Sequence, residues 1–516
     1  MNQKFTSTIA GASIFISIIG LLSRGLGFIR EMIFANNFGL GTEFDLYLIG
    51  AVLPVTINTI ILYIGQNYFI PGFQKIKADN TEESKKYYNH SFIMFVGVGF
   101  FVAISLYLLS DFIINLYMYS ADLDKKATAV LIFHIFLITI PLSSAISIFS
   151  ALLQTVYEFK FPAISVLFLN LSIIILIFLF TDNFGIYIIP IGYAVGTFLQ
   201  FIYLFVKTEK FLKLNVITYI GNFKSMKSVF SSSLIIILLI ESVGQLYTIF
   251  DRYFYGYVSS GGIASLNYAY IIFYLPISIF SISLATAVFP KISSAINNQS
   301  DNELERIYDE SLSFNIIIFM PLTIILYYFG DTFIKLAFER GKFVQESTAI
   351  TFEALKYYAV SLVFYSAYSV LNKIFYSINL VKILLAITII GIFLKLLVNF
   401  LLVKDLQQSG LALSTSITYI FFFISSYLVI NYKLRIRDKS IFVKEFIFCL
   451  VAGGFSLIVV NLLSNLLYLQ SLVGEVFQII LFLLVYSINL IIIKHKAVVI
   501  FHRIFLKNNF INQALA

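Results

Sequence analysis

Residues 28–54 read FIREMIFANNFGLGTEFDLYLIGAVLP, and residues 250–276 read FDRYFYGYVSSGGIASLNYAYIIFYLP. The two align without a gap at an offset of 222: Phe28 meets Phe250, Arg30 meets Arg252, Gly39 meets Gly261 and Pro54 meets Pro276. Asp45 meets Asn267, a carboxylate against its neutral isostere. Each stretch leaves one apolar helix, turns at a glycine and enters a second helix that contains a proline. A weaker echo pairs LLQTVY, ending at Tyr157, with LNKIFY, ending at Tyr376. Arginine, glycine and proline recurring in one register mark an internal duplication.

The duplicated unit is built of membrane helices. Hydrophobic residues make up 59% of the 516 and charged residues 12%, with mean hydropathy +0.92. A soluble domain is about one-quarter charged, so this chain has too few charges to cover a soluble surface. A soluble enzyme is excluded. The apolar runs are continuous rather than alternating, which excludes a β-barrel. One cysteine, Cys449, excludes a disulfide framework. It lies in an apolar run and reads as a small buried hydrophobe.

A spanning helix needs about 20 mostly apolar residues, and on that rule the chain holds about fourteen. The first six fall near 7–30, 44–70, 88–118, 127–153, 162–181 and 185–206. The next six fall near 228–254, 262–289, 311–336, 347–376, 382–403 and 409–431, and the last two near 444–468 and 473–498. The first has no small-residue cleavage pattern after it and reads as a retained helix. An offset of 222 residues equals six spans, an even number, so both copies enter the membrane the same way round. The fold class is therefore an all-α polytopic membrane protein. Two six-helix lobes, 1–215 and 216–435, are related by a parallel pseudo-two-fold repeat, and 436–516 adds two helices and a tail.

Orientation follows from Lys and Arg in the loops. The N-terminus and every second loop hold Lys4, Lys75, Lys77, Lys85, Lys86, Lys160, Lys207, Lys210, Lys224, Lys291, Arg306 and Lys373. The loop after the twelfth span adds Lys433, Arg435, Arg437 and Lys439, and the tail adds Lys494, Lys496 and Arg503. The opposite loops carry chiefly Lys125, Lys126, Lys342 and Lys404. Both termini are expected in the cytoplasm. Much of the +8 net charge is then a topology signal, so no nucleic-acid partner is expected. The outer loops are short, which leaves no room for an external catalytic domain.

An ionisable group at membrane depth costs a few kcal/mol or more, so it faces a cavity or a partner. The candidates are Arg24, Arg30, Glu31, Asp45, Glu241, Asp251, Arg252 and Lys395. Arg24 and Lys395 have no acid nearby in sequence. A cavity carrying such cations suits a phosphate, gripped by Arg as a planar fork and by Lys as a point charge. Arg30, Glu31 and Arg252 also fit helix ends that snorkel to the interface. Glu241 also fits an internal pair with Lys395, and His134 a packed histidine. GLG at Gly25–Gly27 reads as a close-packing device. The sequence contains no HExxH, GxSxG, P-loop or CxxC, so neither an enzyme nor an ATP-driven pump is expected.

SRGLGFIREMIFANNFG, from Ser23 to Gly39, followed by Phe44–Asp45 and Leu53–Pro54, resembles the N-terminal signature of the MurJ (MviN) lipid II flippases of the MOP exporter superfamily. FIPGF at 69–73, ATAVFPKIS at 285–293, AFERGKF at 337–343 and LVNFLLV at 397–403 are similar to further segments of that family, so the resemblance covers nearly the whole chain. It implies two lobes, a central cationic cavity and alternating access that carries lipid II to the outer leaflet of the bacterial cytoplasmic membrane. It implies substrate-binding roles for Arg24, Arg30 and Asp45, which Arg252 and Lys395 would extend. Glu31, Glu241 and Asp251 are left for ion coupling or gating. The last two helices would hold the lipid tail. No cofactor is implied; Na⁺, H⁺ or the membrane potential would supply the drive. Partners would be the lipid-linked oligosaccharide, membrane lipids and cell-wall synthases. The family pattern has an arginine early in the eighth helix, where Ala269 here is followed by Tyr270 and Ile271. Alternatives are a flippase for another undecaprenyl-pyrophosphate glycan, such as capsule or O-antigen, and a scaffold of envelope synthesis.

Overall fold

A computed structural model describes residues 9–79, 81–216, 242, 245, 249–251, 253–298, 300–378, 380–434, 436, 440–466 and 471–492. Among these the chain is all helix and turn, with no strand. In order the helices are α1 Ile9–Phe38, α2 Thr42–Lys77, α3 Thr81–Tyr117, α4 Leu123–Thr155, α5 Lys160–Phe184 and α6 Ile188–Thr208. Then follow α7 Gly262–Asn297, α8 Asp301–Phe338, α9 Gln345–Ala359, α10 Leu362–Ser377, α11 Val381–Lys433, α12 Ile441–Leu466 and α13 Leu472–Ile492. The predicted seventh span, 228–254, lies largely outside the described residues.

Nine stretches among the described residues are long and apolar enough to cross a membrane. Two of these are helical hairpins. The 53 residues of Val381–Lys433 would be about 80 Å long if straight, more than twice the hydrocarbon core. Gln407 breaks the run with φ 47° and ψ −125°. Beyond it the chain doubles back. Ser414 Oγ donates to the Lys395 carbonyl at 3.1 Å, and a Cβ built on Gly410 would stand 2.8 Å from the Leu402 oxygen. The α5–α6 pair folds the same way about Gly185, at φ 52° and ψ −133°. Gly192 lies against Ile173, Gly196 against Leu169, and Gln200 donates to Ser165 at 3.0 Å. Partner numbers fall as residue numbers rise, as antiparallel packing requires.

The duplication shows in the backbone. Gly39 and Gly261, 222 residues apart, both have positive φ, 54° and 81°. Gly185 and Gln407, also 222 apart, share the hairpin conformation just described. A repeat read from side chains around Arg30 and Arg252 thus recurs in turns whose side chains differ.

The chain divides into two compact units, Met1–Ala264 with Arg340–Phe343, and Ser265–Glu339 with Val344–Ala516. The boundary drawn at 215/216 from the sequence falls at the edge of residues 217–241, outside the described residues. Each unit wears its apolar residues outward as well as inward. On α3, Phe101, Leu108 and Phe112 are 71%, 76% and 68% exposed, an apolar surface suited to lipid. Cys449 is fully buried, and His134 is held by Ser110 at 2.8 Å between α3 and α4.

Candidate functional site

Helix α1 runs to Phe38, two turns beyond the end expected near residue 30. Apolar MIF continues the helix, and Gly39 stops it in a left-handed conformation. Arg24 therefore sits near the middle of a 30-residue helix rather than in its last two turns, and Arg30 and Glu31 lie inside it rather than at its end.

That placement asks for partners, and Arg30 has them. Its Nη2 meets Glu31 Oε1 at 2.6 Å, and its Nη1 donates to Asn170 Oδ1 on α5 at 3.1 Å. The guanidinium carbon stands 5.5 Å from the Phe34 ring centre and 5.4 Å from that of Tyr193 on α6. The side chains of Arg30 and Glu31 are only 17% and 12% exposed. This is an interior ion pair that ties α1 to α5 and α6. Six residues earlier, Arg24 lies about 9 Å along the helix and about 120° around it. Arg24 is exposed. The two arginines of the SRGLGFIRE motif thus face different surroundings.

Asp45 is buried, at 5% exposed. Its Oδ2 accepts from the Gly261 N–H at 2.5 Å and its Oδ1 from the Ala264 N–H at 2.8 Å. These are the donors on either side of the start of α7, the pair that a capping box satisfies. Here one carboxylate from α2 takes both, against the positive end of the helix dipole. Beside it, Thr42 and Ser260 hydroxyls pair at 2.6 Å. The Arg340–Phe343 part of the AFERGKF turn also belongs to this first unit: Lys342 N–H donates to Asn36 O at 2.9 Å. A Cβ on Gly341 would stand 2.3 Å from that oxygen, with φ at +57°. Only glycine fits there, which gives the motif its physical content.

Asp251 is half-buried. Glu241 and Arg252 lie outside the described residues, and with them the proposed Glu241–Lys395 pair. Lys395 is 2% exposed, one turn from the fully buried Asn399; it is enclosed within the second unit. The structure joins Arg30 to Glu31, commits Asp45 to α7 and leaves Arg24 exposed. Asn170 and Tyr193, which meet Arg30, were missed by sequence reasoning because neutral polar side chains raise no alarm in an apolar run. So was Lys335, which meets Asp331 at 2.9 Å and Glu475 at 3.0 Å and ties α13 to α8. Its one sequence sign is the Asp331/Lys335 spacing on one helix face. GLG does not act as a unit: Gly25 has nothing within 4 Å, and Gly27 only Asn170 at 4.0 Å.

The family model described as lipid II flippase MurJ matches residues 34–487. The chain belongs to the MurJ lipid II flippase family. A MurJ relative from Buchnera aphidicola subsp. Schizaphis graminum, described as a probable lipid II flippase, is 30% identical over 442 residues, covering 81% of this chain and 84% of its own. The MurJ relative of Aquifex aeolicus is 26% identical over 509 residues, covering 96% and 97%. Among solved structures, a MurJ lipid II flippase in an inward closed conformation has TM-score 0.80 at 24% identity, covering 94% of this chain and 100% of that one. An inward-facing multidrug resistance MATE transporter of the MOP superfamily has TM-score 0.66 at 16% identity, covering 82% and 98%. Those two likenesses concern the fold. MurJ proteins are transporters and not enzymes, in keeping with the absence of catalytic motifs in the sequence.

Proposed function

We propose that this chain flips lipid II from the cytoplasmic to the outer leaflet of the bacterial cytoplasmic membrane by alternating access, with both termini in the cytoplasm. The family match across residues 34–487 carries the reading. The head group cannot cross hydrocarbon unaided, because its charges and hydroxyls would lose water without replacement. Arg24 is the replacement offered within α1: a cation at mid-helix depth, exposed, with the planar fork that phosphate favours. Arg30 acts one step back, as a positioning residue that sets α1 against α5 and α6. Arg252 and Lys395 are further candidate cations for the diphosphate, Lys395 only once it is uncovered from the second unit.

The Asp45 cap gives the cycle a discrete contact. Moving the first turn of α7 away from α2 breaks two hydrogen bonds at once and exposes both N–H groups and the carboxylate to water. No cofactor is needed. Carrying one charge through 100 mV is worth about 2.3 kcal/mol, so a diphosphate with about two negative charges that travels without a counter-ion gains about 4–5 kcal/mol moving outward from an inside-negative cytoplasm. Asp251, and Glu31 once Arg30 releases it, are the candidate groups for a coupling cation, and cell-wall synthases would consume the product.

The test is reconstituted flipping of lipid II by Arg24→Ala and Arg24→Lys, with insertion verified. Loss of flipping in Arg24→Ala with partial recovery in Arg24→Lys is expected. Unchanged flipping in Arg24→Ala removes Arg24 from the mechanism.

A further inference from the structure

The second unit contains a cavity of about 620 Å³ between the last turns of α7 and the first turns of α8. Its lining is sorted by polarity along the helix axes. Lys291 on α7 and Glu303 and Arg306 on α8 stand toward one end, Glu310 lies one turn deeper, and Leu284 and Phe314 stand toward the other. At 1.5 Å per residue, Leu284 lies about 10 Å deeper than Lys291, and Phe314 about 12 Å deeper than Arg306. A polar mouth over an apolar floor along the membrane normal is the outline of one leaflet's amphiphile.

The charges say which amphiphile. Arg306 and Glu310 form only a loose pair, at 3.9 Å, with both side chains largely in the open. Lys291 and Glu303 face the same cavity and, among the described residues, make no ion pair with each other or with anything else. One uncommitted cation and one uncommitted anion on opposite walls ask for a ligand that carries both charges. A purely anionic head would satisfy Lys291 and meet repulsion from two carboxylates. A quaternary ammonium has no N–H to give Glu303.

We propose that this pocket holds a zwitterionic aminophospholipid of the cytoplasmic leaflet. Its phosphate sits on Lys291 and Arg306, its primary ammonium on Glu303, and an acyl chain runs down past Leu284 and Phe314. The lipid braces α7 against α8, the helix that Asp45 caps against its neighbour. The leaflet rests on the orientation given above; the head-group choice does not.

The experiment uses the purified full-length chain in detergent, titrated with phosphatidylethanolamine, phosphatidylglycerol and phosphatidylcholine of matched chains, with retained lipid counted by native mass spectrometry. No flipping is required, so the result is independent of the transport reading. Phosphatidylethanolamine is expected to be retained about tenfold better than either other lipid, a difference of about 1.4 kcal/mol. Lys291→Ala should reduce retention of phosphatidylethanolamine and phosphatidylglycerol together, with recovery in Lys291→Arg. Glu303→Gln should erase the preference for phosphatidylethanolamine. Equal retention of phosphatidylglycerol by the unaltered protein overturns the proposal, as does undiminished phosphatidylethanolamine in Lys291→Ala. Should Lys291→Ala not fold, Glu303→Gln decides alone: a preference that survives it refutes the ammonium site.

Discussion

Replacing Asp45 tests whether a single carboxylate holds the start of α7. Asp45→Ala removes both acceptors, at 2.5 and 2.8 Å. Hydrogen bonds to an ionised acceptor contribute about 1.5–3 kcal/mol each, so the pair is worth roughly 3–5 kcal/mol, part of it shared with the helix dipole. Asp45→Asn keeps one acceptor oxygen and turns an NH₂ toward the other donor; it should cost about half as much. The readout is hydrogen exchange in a peptide covering Gly261–Ala264. Each 1.4 kcal/mol lost from a local opening free energy speeds exchange about tenfold. Asp45→Ala should therefore raise exchange there by roughly 100-fold or more, and Asp45→Asn by about tenfold, with α5 and α6 unchanged. Unaltered exchange in a folded Asp45→Ala protein would refute the cap. Equal acceleration across the whole chain would show that the carboxylate stabilises the fold at large and has no local role.

Arg30→Ala should destabilise the first unit by about 2–3 kcal/mol in denaturant titrations, because it strands a Glu31 that is only 12% exposed; Arg30→Lys should cost about 1 kcal/mol, keeping the charge and losing the fork. Gly196→Ala places a Cβ 2.8 Å from the Leu169 Cα and should cost about 1–3 kcal/mol by prising α5 from α6, whereas Gly25→Ala, with nothing within 4 Å, should leave the melting temperature unchanged or slightly raised. Gln407→Gly should stabilise the α11 hairpin by about 1 kcal/mol, since φ 47° with ψ −125° is a conformation glycine reaches without steric cost; a lower melting temperature would show that the glutamine side chain matters more than the turn.

The fold was legible because two signals repeat. Apolar length located most of the spans that fall in the described residues, although the expected span 347–376 is broken into Gln345–Ala359 and Leu362–Ser377, and the Gly39/Gly261 register gave the duplication. What the sequence hid was where helices stop and what their polar residues touch. Composition changes little between Arg30 and Phe38, so hydropathy gave no reason to run α1 past its charged residues. The end is set by Gly39, and Gly39 is constrained by the Lys342 carbonyl, which a Cβ would approach to 2.4 Å. That contact joins positions some 300 residues apart (roughly) and has no local trace. Asp45 shows the same limit from the other side. An acid at a helix start is marked as costly by its depth, but whether it grips a ligand or a backbone depends on residues 216 and 219 positions away.

The duplication explains why the two halves need not use their shared positions alike. At the repeat register, Asp45 faces Asn267. Only the first copy carries the charge, and that carboxylate caps the helix on which Asn267 itself lies. Duplication supplied two equivalent helix starts. In the first, the Gly41 cap has no side-chain acceptor; in the second, the cap is supplied from outside by Asp45. A contact of that kind is asymmetric within a symmetric scaffold. It can be broken without unfolding either helix, because each keeps its own intrahelical bonds. Gln407 repeats the lesson at the hairpins: the backbone of Gly185 persists where glycine does not. The repeat conserves the path of the chain, and the chemistry that distinguishes the halves is written over it in single residues such as Arg24, Asp45 and Lys395.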